Sequence, residues 1–425
     1  MCLTKNMFNF IKMNNTLFKK ILFSGFGSVL SKGGIYFITV FLSHKLSSAD
    51  FAIYSLILTT VTYLGSLSTL GMSIIITDLV SKNDIGKKVI NVLYKKILPF
   101  SSVFFSIVGF FIIEGKINND IYFTLLIYLL VLGICFELYF SSIVSGKNDF
   151  EYLAKINIIK SLLTIGSIFL FFINTNVYYF FISYGFALLI SNFMLFIKVN
   201  SYSYKDGITL CSIVSRASPL LLSDLLVPGF IWGVGIYLAS SLSIDDMARF
   251  NMINQLGVLS IFIVNALLSP ILPHINSFGR DNEVKYIYIP CFVFFVFSLF
   301  ISYTDIYTKL IGNNLLINER TSINIILSIT LISIFKLGLI RKNIQKGNTY
   351  ISLFSNVFWF ISVLISSYYI GLDNVENVFK SLFIAHICSL LFSIYIYIKV
   401  KVINKMDIFN VYFLVLFFMI FYLVV

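Results

Sequence analysis

The strongest constraint in this sequence is a succession of thirteen apolar stretches, most of them close to the roughly 20 residues that a helix needs to cross about 30 Å of hydrocarbon. They run Ile21 to Ser43, Phe51 to Met72, Ile97 to Glu114, Ile121 to Val144, Ile158 to Ile173 and Val177 to Val199, then Ala217 to Ser240, Met252 to Ile271, Tyr286 to Tyr303, Ile323 to Leu339, Ile351 to Ile370 and Val378 to Ile398, and finally Ile408 to Val425. The runs are long and do not alternate, which favours helices over barrel strands, because a helix satisfies its own backbone groups in lipid. With 58% hydrophobic and 12% charged residues, no soluble core accounts for this chain. The expected fold is an all-α integral membrane protein with twelve core transmembrane helices and a C-terminal apolar segment. Ile408 to Val425 either crosses as a thirteenth span or lies in the interface.

Lys5, Lys12, Lys19 and Lys20 precede the first run, which is too long for a signal peptide and lacks a small-residue cleavage site, so it is read as a retained helix. The net charge of +12 sorts by topology. With a cytoplasmic N-terminus, only Lys45, Lys116, Arg249, Lys309, Arg320 and Lys380 fall on the far side, and Lys32 is the basic residue well inside a span. That asymmetry follows the positive-inside rule and leaves no basic footprint for nucleic acid. The five cysteines form neither a disulfide framework nor a metal motif, and no cofactor is expected.

An internal repeat organises the spans. Shifting by 196 residues lays Leu46-Ser47-Ser48-Ala49-Asp50-Phe51-Ala52-Ile53-Tyr54 on Leu242-Ser243-Ile244-Asp245-Asp246-Met247-Ala248-Arg249-Phe250, and brings Gly146-Lys147-Asn148 near Gly347-Asn348. Span one then pairs with span seven, and span nine fits least well. Six helices per copy give both halves one orientation, hence two parallel six-helix repeats around a central cavity. The expected divisions are a cytoplasmic segment 1–20, a first bundle 21–200, a cytoplasmic linker 201–216, a second bundle 217–400 and a tail 401–425. Ser47, Ser48 or Asp50, and Asp245 or Asp246, read as N-caps of the helix after each short outer turn, which gives the acidic pair a structural rather than catalytic role.

Ionisable residues within spans are expensive and mark function. They are Lys32 in span one, Glu137 in span four, Asp224 in span seven and His386 in span twelve, with Asp78 and Lys336 nearer helix ends. Spans one and seven also carry helix-weakening pairs at matching positions, Gly33-Gly34 and Pro228-Gly229, which are read as hinges in broken helices lining the cavity. Lys32 suits an anionic headgroup, and Asp224 or Glu137 suits ion coupling; a structural ion pair is the competing reading for each. His386 reads as a satisfied polar residue, and Lys336, followed by Arg341 and Lys342, as a snorkelling one. No phosphate-binding loop, nucleophile elbow or zinc motif appears, so the chain reads as no enzyme.

Several stretches resemble the polysaccharide transporter family, which includes O-antigen flippases and belongs to the multidrug/oligosaccharidyl-lipid/polysaccharide exporter superfamily. They are LSSADFAIYSLILT after span one, Leu70-Gly71-Met72, GKNDFEYLAKINIIKSLL from Gly146 to Leu163, and Ser218-Pro219-Leu220. Ala52 stands where that family often has glycine. The resemblance implies a flippase of the bacterial inner membrane, moving undecaprenyl-pyrophosphate-linked repeat units of the O-antigen of lipopolysaccharide, or of a related polysaccharide, to the outer leaflet by alternating access. It further implies membrane lipids and other polysaccharide assembly proteins as partners, and a cationic cavity served here by Lys32 with Arg216 at the mouth of span seven. The alternatives are a multidrug or toxin cation antiporter of the same superfamily, whose cavity would be set by acids, and a membrane polysaccharide polymerase or glycosyltransferase, which would need a large outer loop.

Overall fold

The computed structural model describes residues 15–113, 121–173, 177–205, 207–268, 319–345 and 349–399, together with 291, 294, 296–298 and 301. The ninth apolar stretch lies mostly outside these residues, and Ile408 to Val425 entirely so. The described residues are helical without a strand: α1 (Asn15–Lys45), α2 (Ser48–Leu67), α3 (Met72–Ser81), α4 (Lys87–Val92) running through a π-turn at Leu93–Ile97 into α5 (Leu98–Ile113), α6 (Ile121–Gly146), α7 (Phe150–Ile173), α8 (Val177–Ser201), α9 (Leu210–Ser241), α10 (Ile244–Leu268), α11 (Arg320–Gln345), α12 (Thr349–Ile370) and α13 (Val375–Lys399). Among the described residues, nine helices are long and apolar enough to cross a membrane.

Packing follows the repeat. In the first bundle α1 lies on α7, α7 on α8, α6 on α8, and α2 on α6. Their counterparts 196 residues on, α9 on α12, α12 on α13, α11 on α13 and α10 on α11, are all in contact as well. The bundles meet through α1 against α10 and through α2 and α3 against α9, two contacts that exchange under the same shift. That exchange is the mark of a pseudo-two-fold arrangement of parallel repeats. A single apolar core joins Ile38, Leu42, Phe51 and Leu56 of the first bundle to Met247, Phe250, Ile253 and Leu256 of the second.

The repeat reaches the caps. Ser47 Oγ donates to Asp50 Oδ2 at 2.6 Å and accepts from the Asp50 amide at 3.1 Å; Ser243 does the same with Asp246 at 2.6 and 3.0 Å. The serine is therefore the cap in both halves, satisfying an amide that the helix cannot. This corrects the expectation that Asp245 or Asp246 caps α10: Asp246 sits three residues on, where its carboxylate faces the helix N-terminus.

The expected breaks in spans one and seven are absent. The helix continues through Gly33-Gly34 in α1 and through Pro219 and Pro228 in α9. Gly34 is instead a packing residue, since a Cβ there would lie 2.5 Å from Ser161 Oγ on α7, whose hydroxyl donates to the Leu30 carbonyl at 2.7 Å. The interruption falls in span two. Leu70 (φ 53°) and Gly71 (φ 69°) are both left-handed and separate α2 from α3. Gly71 is required there twice over, because a Cβ would also lie 2.7 Å from the Leu221 amide and 2.8 Å from the Ala217 carbonyl of α9.

Candidate functional site: the wall between the two bundles

Where α2 faces α9, the side chains are aromatic and polar. Tyr63 and Trp232 rings lie 5.1 Å apart, and Trp232 Nε1 donates to Thr60 Oγ1 at 3.0 Å. The Tyr63 hydroxyl fills the space beside Gly229, where a Cβ would approach it to 2.6 Å. One turn and a half earlier on α9, the half-buried Asp224 lies within electrostatic reach of Tyr63. Among the described residues Asp224 has neither an ion-pair nor a hydrogen-bond partner. A carboxylate within a membrane span is costly to leave charged and unpaired, which makes Asp224 the acid of this wall with most to gain from a compensating cation or proton.

The other sequence-predicted residues are dispersed. Lys32 sits on α1, but its side chain lies outside the described residues. Gly33 has open space around it. Arg216 is exposed in the second turn of α9, because that helix starts at Leu210, ahead of the apolar run. Pro228 is exposed, next to Gly229. Glu137 is inside the first bundle, ion-paired with Lys160 of α7, whose side chain is 1% exposed against 19% for the carboxylate. Lys32 is thus not the lone basic residue within the helices. Lys160 belongs to the span that begins at Ile158, and a lone acid in span four was the signal for its partner.

Lys336 corrects a second expectation. It does not snorkel; its side chain is buried and donates to Ser389 Oγ on α13. His386 is likewise buried, but among the described residues its Nδ1 has no hydrogen-bond partner, contrary to a satisfied polar residue.

At the linker end of the first bundle, a polar staple holds the segment that joins the bundles. The Ile208 amide donates to the Asp84 carbonyl at 2.8 Å, and Lys147 Nζ donates to Asn83 Oδ1 at 3.0 Å and to the Ser203 carbonyl at 3.1 Å. Lys198 pairs with Asp149 at 2.9 Å, and the Tyr202 hydroxyl donates to the same carboxylate at 3.1 Å. Burial pushes the Asp149 carboxyl up, but the hydrogen bonds from Lys198 and Tyr202, the Lys198 charge and the Tyr152 amide together hold it below its ordinary value.

No family model matches this chain, and no curated protein matches it in sequence. Solved structures do match in fold. A MATE transporter in complex with MaL6 superposes with a TM-score of 0.68 at 12% identity, covering 91% of this chain and 96% of that one. The outward-facing conformation of a multidrug resistance MATE family transporter of the MOP superfamily gives 0.66 at 14% identity, covering 90% and 95%. A MOP superfamily transporter from Pyrococcus furiosus, for which a reversed polarity of the binding pocket suggests a different function, gives 0.65 at 13%, covering 91% and 95%. The fold is that of these transporters, a multi-pass all-α membrane protein of twelve core helices in two repeats.

Proposed function

We propose that this chain is an ion-coupled exporter working by alternating access, with Asp224 as the coupling carboxylate. The observation that carries the reading is the position of Asp224, at the wall between bundles, beside Tyr63 and Gly229, without an ion-pair partner among the described residues. Coupling needs a group whose charge is compensated by cargo in one state and by an ion in another, and Glu137 is less suited because Lys160 already compensates it. A proton or cation descending the membrane field supplies about 2.3 kcal/mol per 100 mV, enough to bias a two-state cycle.

For the cargo, an acid within electrostatic reach of Tyr63 of α2, whose ring lies against Trp232 of α9, favours an organic cation, held by charge and by ring faces. The fold neighbours described as MATE multidrug transporters agree with that reading. The second reading, a lipid-linked oligosaccharide flipped from the cytoplasmic to the periplasmic leaflet, is favoured by the stretch from Leu46 to Thr59 and by the basic residues Lys32 and Arg216 on the repeat-related helices α1 and α9. A cytoplasmic N-terminus follows from the basic residues in either case. The test is paired. Cells carrying the chain are loaded with ethidium and its efflux followed, while a deletion strain is examined for lipid-linked repeat units by leaflet. Gradient-dependent ethidium efflux supports the antiporter, and repeat units trapped on the inner leaflet support the flippase. Neither effect in a properly inserted protein rules out the exporter reading.

A further inference from the structure

A second buried ionisable cluster lies inside the second bundle, away from the wall that holds Asp224. Lys336 of α11 donates to Ser389 Oγ of α13, and Ser393 Oγ donates to the Ser389 carbonyl at 2.7 Å while sharing a 2.6 Å hydrogen bond with Ser355 of α12. One turn before Ser389, the His386 ring stands edge-on to Trp359 of α12, with centroids 5.4 Å apart, and interacts electrostatically with Lys336. Both His386 Nδ1 and Trp359 Nε1 are buried without a hydrogen-bond partner among the described residues. The Trp359 ring also meets Phe230, near-perpendicular with centroids 5.8 Å apart, and Phe230 directly follows Pro228-Gly229 on α9.

No acid among the described residues faces this cluster. The helices α11 and α12 contain none. On α13, Glu376 is paired with Lys380 at 2.7 Å and stands ten residues before His386, about 15 Å along the axis. The charges of α10, Asp245, Asp246 and Arg249, are in its first two turns, where Arg249 bridges Asp246 and Glu319 at 3.8 Å each. Lys399, Arg320, Arg341 and Lys342 lie near helix ends, and Asp224 and Arg216 of α9 lie on the element that touches α12 through Phe230. Two bases in one apolar interior, without a carboxylate, repel when both are charged, so the pair favours a single positive charge.

We propose that Lys336 and His386 form a proton-exchange site within the second bundle, whose charge state reaches the Pro228-Gly229 region of α9 through the Trp359–Phe230 contact. The inference rests on the ion-coupled reading and adds to it a site on different helices. Only N–H bonds are involved: a proton bound at His386 Nδ1 comes from water, and the neighbouring ammonium releases one to water in turn. Addition of that proton gives Nδ1 a hydrogen to donate and changes the electrostatics at the edge of the Trp359 ring.

The chain has two tryptophans, so W232F in the full-length protein leaves Trp359 as its one indole fluorophore. In detergent micelles, emission is expected to fall along a sigmoid as pH is lowered, because an imidazolium beside an indole quenches it. H386Q and H386N should each abolish the sigmoid, and K336M should move its midpoint to higher pH by about one unit or more, as loss of a nearby positive charge requires. Flat emission, a sigmoid that survives both His386 substitutions in monodisperse protein, or a midpoint unmoved by K336M overturns the proposal. Adding D224N keeps failure here separate from failure at the wall: the sigmoid should persist, and its loss would assign the titration to Asp224 instead.

Discussion

The Glu137–Lys160 pair yields the sharpest energetic prediction. With the lysine side chain 1% exposed and the carboxylate 19% exposed, the two removals are not equivalent. E137Q strands an ammonium in a dry interior and should destabilise by about 3–5 kcal/mol, the usual cost of breaking a buried pair. K160M leaves a carboxylate that water still reaches in part, so its cost should be smaller, about 2–3 kcal/mol. Replacing both, as E137Q/K160M, removes two desolvation penalties together and should stay within about 1 kcal/mol of the parent. Equilibrium unfolding in mixed micelles of increasing SDS fraction, read by far-UV circular dichroism, measures all four proteins of the cycle. A double variant as unstable as the sum of the singles would refute the reasoning, as would an E137Q variant costing less than K160M.

Other expectations follow from packing and charge. G71A places a Cβ against the α9 backbone at 2.7–2.8 Å and in a left-handed conformation, so it should cost more than the roughly 1–2 kcal/mol of the conformation alone and should lower the melting temperature. G229A, whose Cβ meets only the mobile end of Tyr63 at 2.6 Å, should leave stability nearly unchanged while altering transport, and G229A/Y63F should restore part of it. Y54F deletes a buried 2.9 Å hydrogen bond to Thr39, whose own hydroxyl still donates to the Ile35 carbonyl, and should cost about 1 kcal/mol by thermal unfolding. For D149N the sign follows from a carboxyl held below its ordinary value. The pair with Lys198 contributes above the unfolded value of about 3.9 and is lost as pH falls through the lower folded value, so the parent-minus-variant difference should be present at pH 7 and gone in strong acid.

Much of the architecture was legible because lipid imposes it. The apolar runs marked the helices, and the 196-residue shift paired α1 with α9 down to the Ser47–Asp50 and Ser243–Asp246 caps, since the same outer turn needs the same amide satisfied. Hydropathy could not place Lys160 or Lys336, because snorkelling and burial give a lysine the same sequence signature. It also misplaced the broken helix. A Gly-Gly pair and a proline are tolerated in a helix supported by neighbours, whereas Leu70-Gly71 breaks span two because α9 packs backbone to backbone against it. Asp224 was legible as an isolated acid, but its setting beside Tyr63 and Gly229 depends on which face of α9 meets α2, which requires the packed bundles.

The central claim, that Asp224 carries the coupling ion, is most directly tested by ion release from purified protein when cargo binds. In weakly buffered micelles with a pH-sensitive dye, and in parallel with a sodium-selective electrode, addition of ethidium or of lipid-linked oligosaccharide should release one kind of ion from the parent. D224N, at ethidium concentrations raised to offset its weaker binding of a cation, should show no release, and D224E should retain it. Release of the same ion, in the same amount, from D224N would contradict the account.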